Sequence, residues 1–236
     1  MTKEKPLHFQ NTLVGFFDIM GYSKFIENSE PDFQTKIKKI KRLFEISKST
    51  CDTDMYAVKL HCWVLSDSLI VVIDTERHPL FNGSINVLLH TCSAILNETM
   101  SISNMPVRGA IGGGDFYKSD DLLISSALVD AANFEKKQEW LGAVLSPNAK
   151  TIVEKHSSNF FTEMKSDIKS VLKYGPVPMK HGAYQDMHYI HPLTDRGNPN
   201  WIRDWLPDYF DPNSPKIKNS DILYGLNKDS YEGGVL

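Results

Sequence analysis

Apolar residues fall along this chain in two rhythms: short runs suited to strands and stripes spaced for helices. Residues 12–17 are apolar, with β-branched and aromatic members, and the run ends at Asp18. That pattern predicts a buried strand. Gly21 breaks it, a helical stretch begins near Tyr22, and Pro31 opens a second one. In the second stretch Phe33, Ile37, Ile40 and Phe44 recur at helical spacing with lysines between them, as in an amphipathic helix lying on a sheet. Residues 56–65 and 69–74 are strand-like runs separated by Ser66, Asp67 and Ser68, the pattern of a hairpin with a polar tip.

From Pro79 onward Ile85, Leu88, Leu89, Cys92, Ile95 and Leu96 make one apolar helical face. Residues 107–111 predict another strand, broken by Gly112, Gly113 and Gly114, with Phe116 and Tyr117 continuing in extended form. Residues 127–140 predict a helix and 143–145 a short strand. Pro147 then stands at the first position of a further helix. The order is βαββαβ, an α+β, ferredoxin-like split unit with an antiparallel sheet covered on one face by helices. In such a sheet the first strand is expected beside the hairpin strand that follows the helix.

Past residue 156 prolines crowd the chain, and Trp201, Trp205, Tyr209 and Phe210 are interleaved with them. Residues 12–147 are therefore expected to form the main domain. Residues 148–236 would form a C-terminal extension, with extra strands and an irregular tail, packed on the core or on a second subunit.

The bulk numbers narrow the class. The 236 residues are 41% hydrophobic, enough for one sizeable core. Lysine plus arginine number 26 against 29 acidic residues, so no basic excess favours nucleic acid or an anionic membrane. Three cysteines, Cys51, Cys62 and Cys92, form no CxxC pair, and no apolar run is long enough to span a bilayer. These features predict a cytoplasmic protein without nucleic-acid or membrane binding.

Candidate chemistry lies in where the acids fall. Asp18 ends the first strand and Asp67 sits at the hairpin tip, so the topology lets two carboxylates converge on one edge. Either acid alone is ordinary turn or cap chemistry; the pair in matched positions points to hard divalent cations such as Mn²⁺ or Mg²⁺. Two such ions, about 3.5–4 Å apart, would clamp a phosphate. The carbonyl of Ile19 is a further candidate ligand. Phe17, Met20, Gly21 and Tyr22 lead from strand through a glycine turn into a helix, a segment whose N–H groups suit a triphosphate. Arg108 either meets a phosphate or forms a structural ion pair. Tyr56, His61 and Trp63 lie on the strand leading to Asp67, and alternation puts His61 and Trp63 on one face, lining either a base pocket or the core. Glu135, Lys136 and Lys137 read as a solvated helix face.

FFDIMGYSKFIE (residues 16–27) resembles the first metal motif of class III nucleotide cyclases, and LSDSLIVVI (residues 65–73) resembles their second. PVRGAIGGGDFY (residues 106–117) resembles their later strand with its glycine turn. ALVDAANFEKKQEWLGAVLSP (residues 127–147) resembles the helix and strand that complete their catalytic fold. The compact layout with an added tail looks most like the bacterial pyrimidine cyclases of anti-phage (Pycsar) systems. The resemblance implies attack of the 3′ oxygen of a nucleoside triphosphate on its own α-phosphorus, with two metal ions per site. It also implies a homodimer whose subunits complete each other's sites. Asn133 is the candidate for the family's transition-state group. Asp115 stands where adenylate cyclases usually carry a phosphate-binding arginine, and His61 falls near the place of their adenine-selecting lysine. Those departures weaken an ATP assignment without identifying the base. The likeness to pyrimidine cyclases, with bulky Trp63 and Tyr56 on the His61 strand, favours a pyrimidine substrate, and family frequency puts UTP ahead of CTP.

Overall fold

A computed structural model describes residues 5–27, 32–51, 58–75, 80–101 and 107–190. Among these residues eight strands form one sheet. β1 (Leu7–Ile19) lies at its middle, between β3 (Ser68–Ile73) and β4 (Val107–Lys118), both antiparallel to it. β2 (Leu60–Leu65) forms the edge beyond β3, so the strand against β1 is the second strand of the hairpin and not the first. This follows from the hairpin's shape: β3 is buried along nearly its whole length, as a strand flanked on both sides must be, whereas β2 ends exposed. On the other side β6 (Ala143–Leu145) runs parallel to β4, followed by β8 (Tyr184–Ile190) and β7 (Leu172–Pro178). The short β5 (Leu123–Ser125) pairs with the end of β4. The sheet is thus mixed, because β6 is reached from β4 through a helical crossover, which delivers the chain in the parallel sense.

The helices occupy both faces. α1 (Tyr22–Glu27), α2 (Phe33–Cys51), α3 (Asn82–Ser101), α5 (Pro147–His156) and α6 (Ser166–Val171) bury their apolar residues in one large core with Leu13, Phe17, Val71 and Ile111. α4 (Ser126–Lys137) covers the opposite face, where Val14, Phe16, Ile70, Ala110, Phe116 and Trp140 form the second apolar layer. Ser125 caps α4 by accepting from the Leu128 N–H at 3.0 Å, and Ser146 caps α5 through the Ala149 N–H at 3.0 Å.

β4 runs through its glycines without a break. A Cβ on Gly112 would lie 2.2 Å from the Ala127 carbonyl oxygen of α4, and one on Gly113 would lie 2.8 Å from the Ala149 backbone of α5. The glycines are there because two helices close on β4 from opposite faces, and only a bare backbone admits both. Gly114, at φ +151°, adds the one unusual backbone angle.

Residues 148–190 add α5, α6, β7 and β8 to the same sheet and core. The aromatic segment 201–210 lies outside the described residues. Among the described residues no helix is long and apolar enough to cross a membrane.

Candidate functional site

The site is built at the end of β1. Asp18 stands directly between Ser68 of β3 and Arg108 of β4 in the strand register. Directly opposed residues share a face, so the three side chains form one row. Alternation along β1 sends Leu13, Phe17 and Ile19 into the large core and Val14 and Phe16 toward α4, placing Asp18 on the α4 face. The hairpin tip is tied to this point: the Ile19 N–H donates to the Asp67 carbonyl at 3.0 Å. Ser66 carries φ +57° in the two-residue turn, of the positive-φ kind that tight hairpins use.

Asp18 is half-buried, and its Oδ1 accepts from Ser68 Oγ at 3.2 Å. Burial, followed by the charges of Glu135 and Asp67, raises its pKa from 3.8 to about 6, against the opposing effects of the Ser68 hydrogen bond and the Arg108 guanidinium. The negative charge that Glu135 and Asp67 place around Asp18 suits a hard divalent cation, which would relieve the repulsion through oxygen ligands. Among the described residues neither acid forms an ion pair, and no group of three or more His, Cys, Asp or Glu side chains is placed to hold a metal. Asp18 and Asp67 are the candidate carboxylate ligands for a divalent ion, and the Ile19 carbonyl lies in the same segment.

Phe17 and Met20 bury their side chains, so they offer backbone only. Gly21 adopts φ +74°, and its carbonyl accepts from Phe25 N–H at 2.9 Å, starting α1 at Tyr22. Arg108 is buried. Its Nε donates to Glu135 Oε1 at 2.7 Å, its Nη2 also meets that oxygen, and its Nη1 donates to the Gln138 carbonyl at 2.9 Å. This is the geometry of a structural ion pair; a phosphate would have to share the guanidinium. Glu135, read from the sequence as solvated, is buried. It falls four residues after Ala131 and eight after Ala127, on the helix face that packs on the sheet. That spacing was visible in the sequence; the charged neighbours Lys136 and Lys137 masked it.

His61 and Trp63 do share a face. Their rings stack at 5.5 Å, Trp63 stacks on Phe116 at 5.3 Å, and Lys118 Nζ lies 5.6 Å from the Trp63 ring. His61 Nε2 lies 3.2 Å from Asp74 Oδ2. Trp63 is one row from the Asp18 row, paired with Ile70, and His61 is two rows away, paired with Val72. Tyr56 lies outside the described residues.

Asn133 faces away from this row. It is exposed on α4 and lines a cleft of about 640 Å³ with Lys136, Lys137, Lys180, His181 and Gln185, between α4 and the turn joining β7 to β8. Neither Asp18 nor Asp67 lines it. The basic cleft went unread in the sequence because its lysines come from segments more than forty residues apart.

No protein-family model and no curated protein matches the sequence. Solved structures do match the fold. The monomeric guanylyl cyclase domain of the RhoGC fusion protein from the aquatic fungus Blastocladiella emersonii aligns with a TM-score of 0.53 at 12% identity, covering 82% of this chain and 100% of that one. The catalytic core of a rhodopsin-guanylyl cyclase with converted specificity, in complex with ATPαS, aligns with a TM-score of 0.52 at 11% identity, covering 79% and 98%. A bacterial light-regulated adenylyl cyclase aligns with a TM-score of 0.52 at 11% identity, covering 89% of this chain and 59% of that one. The chain has the fold of a nucleotide cyclase catalytic domain.

Proposed function

We propose that this protein is a metal-dependent nucleotide cyclase that converts a pyrimidine nucleoside triphosphate, UTP ahead of CTP, into the 3′,5′-cyclic nucleotide and pyrophosphate. The observation that carries the reading is the meeting of Asp18 and Asp67 at the end of β1 within a cyclase fold. Divalent ions held there would lower the pKa of the 3′ hydroxyl and neutralise triphosphate charge. The chain's own part is positioning: Ser68 orients Asp18, and the Ile19–Asp67 backbone bond holds the hairpin tip beside it.

A head-to-tail homodimer completes this reading. Neither acid lines the basic cleft, and in this arrangement the lysines and Asn133 of one subunit would serve the triphosphate held by the acids of the other. The pyrimidine preference rests on the sequence likeness to pyrimidine cyclases and on His61 standing in place of an adenine-selecting lysine; its neighbour Trp63 is stacked into the second apolar layer on Phe116. The sequence resemblance to the pyrimidine cyclases of anti-phage systems would make the cyclic nucleotide a signal in that defence.

Incubation with all four ribonucleoside triphosphates and Mn²⁺, with products separated by mass, tests this directly. Cyclic UMP is the expected main product. Cyclic AMP or cyclic GMP would overturn the pyrimidine assignment, and cyclic CMP only the choice within it. A second reading, a nucleotide-binding sensor, draws on the engagement of Arg108 by Glu135. It predicts calorimetric binding of a triphosphate with no product.

A further inference from the structure

Arg108 is the direct cross-strand neighbour of Asp18, on the same face and buried. A guanidinium so placed would ordinarily pair with that carboxylate, since Arg matches carboxylate geometry with two parallel donors. It does not. Nε and Nη2 both go to Glu135 Oε1, and Nη1 goes to the Gln138 carbonyl. The guanidinium is planar and rigid, so these three contacts set its direction toward the C-terminal end of α4. Among the described residues the Asp18 carboxylate has one hydrogen-bond donor, the neutral Ser68 hydroxyl.

We propose that Glu135 is a positioning residue that holds the Arg108 guanidinium off Asp18 and so keeps that carboxylate open to a divalent cation. The inference rests on the cyclase reading of the Asp18–Asp67 pair. A guanidinium bound to Asp18 would occupy the oxygen lone pairs a cation needs. Glu135 is itself almost wholly buried, and among the described residues its carboxylate makes no hydrogen bond or ion pair except with Arg108, although its charge is also felt at Asp18. With residue 135 neutral, Asp18 is the carboxylate left beside Arg108 in the strand register.

The test is Mn²⁺ titration of the full chain without nucleotide, followed by the electron paramagnetic resonance signal of free Mn²⁺. The parent is expected to bind Mn²⁺ in a manner lost in Asp67→Asn; a parent that binds none overturns both the metal reading and this inference. In Glu135→Gln the affinity is expected to fall about tenfold or more, in the range seen when groups behind metal ligands are altered. Parental affinity there overturns the inference while leaving the cyclase reading intact. The double variant Arg108→Gln/Glu135→Gln has no guanidinium to restrain and is expected to regain parental affinity within about threefold. A double variant as weak as the single one would show that the pair only braces α4, and would overturn the inference. Removing one partner of a buried pair can unfold a protein. In that event Glu135→Asp, which keeps the charge and retracts it by one methylene, is read instead: a measurable loss of affinity supports the inference and parental affinity overturns it.

Discussion

The backbone N–H of Ile19 donates to the carbonyl of Asp67 at 3.0 Å, a bond that spans 48 residues of sequence and brings the hairpin tip to the end of β1. Asp18, one residue before Ile19, is thereby set close enough to Asp67 for the second carboxylate to raise its pKa. A main-chain bond is indifferent to the side chains at either position. The meeting of the two acids is therefore a property of the fold, and each acid can be altered without losing the frame that joins them.

Asp18→Asn and Asp67→Asn are each expected to lower cyclase turnover about a hundredfold or more, because a site that depends on two carboxylates loses one ligand. Circular dichroism and gel filtration should match the parent. Normal product formation by either variant would sink the metal assignment.

The pH dependence of stability without metal follows from Asp18. Its folded pKa is raised from 3.8 to about 6, so the folded state holds the proton more tightly than the unfolded state. Its contribution to stability is full below pH 3.8, declines as pH rises through the interval, and is lost above about 6. In EDTA, Asp18→Asn should therefore be more stable than the parent at pH 7, by on the order of 1 kcal/mol once solvent screening of this half-buried group is allowed for. The advantage should vanish near pH 4. Urea melts at the two pH values measure it; a variant less stable than the parent at pH 7 contradicts the sign.

Gly112→Ala is expected to cost about 3 kcal/mol, since the new methyl meets backbone atoms of α4 that cannot move aside singly. Gly15→Ala is the contrast. Its Cβ would lie 3.2 Å from Cys92 Sγ and from a Phe17 ring carbon, side-chain atoms that can shift, and the change should stay within about 1 kcal/mol of the parent. Equal losses at both positions, measured by urea denaturation, would refute the account of the glycine run.

The shared-site arrangement makes a complementation prediction. Asp18→Asn and a chain with Lys136, Lys137 and Lys180 all replaced by alanine should each be nearly inactive. Co-expressed in equal amounts, they should give heterodimers in half of all cases, each with one intact site, and so about a quarter of parental activity. Recovery to no more than the sum of the separate activities would exclude a site built from two subunits.

Much of the fold was legible because the signals are local. The apolar run ending at Asp18, the hairpin with Asp67 at its tip and the helical stripe from Ile85 to Leu96 all reappear as elements, with boundaries displaced by a few residues. The break at Gly112–Gly114 was misread because a glycine run permits a turn and also permits two helices to press on one strand, and only the positions of α4 and α5 separate the two cases. Glu135 was misplaced for a related reason. Its charge suggested solvent, while the partner that makes its burial tolerable, Arg108, lies 27 residues away on β4.

Up to residue 147, apart from the short β5, the sequence by itself determined the order of strands and helices and the stations of Asp18 and Asp67 at element ends, because periodicity, glycine turns and polar tips act over a few residues. Tertiary structure decided which strand of the hairpin meets β1, which way Arg108 points, and that Asn133 sits with Lys180 and His181 in a basic cleft apart from the acids. Those outcomes depend on pairing between segments distant in the chain. There the energies of burial, ion pairing and close backbone approach are set by neighbours that no local pattern records.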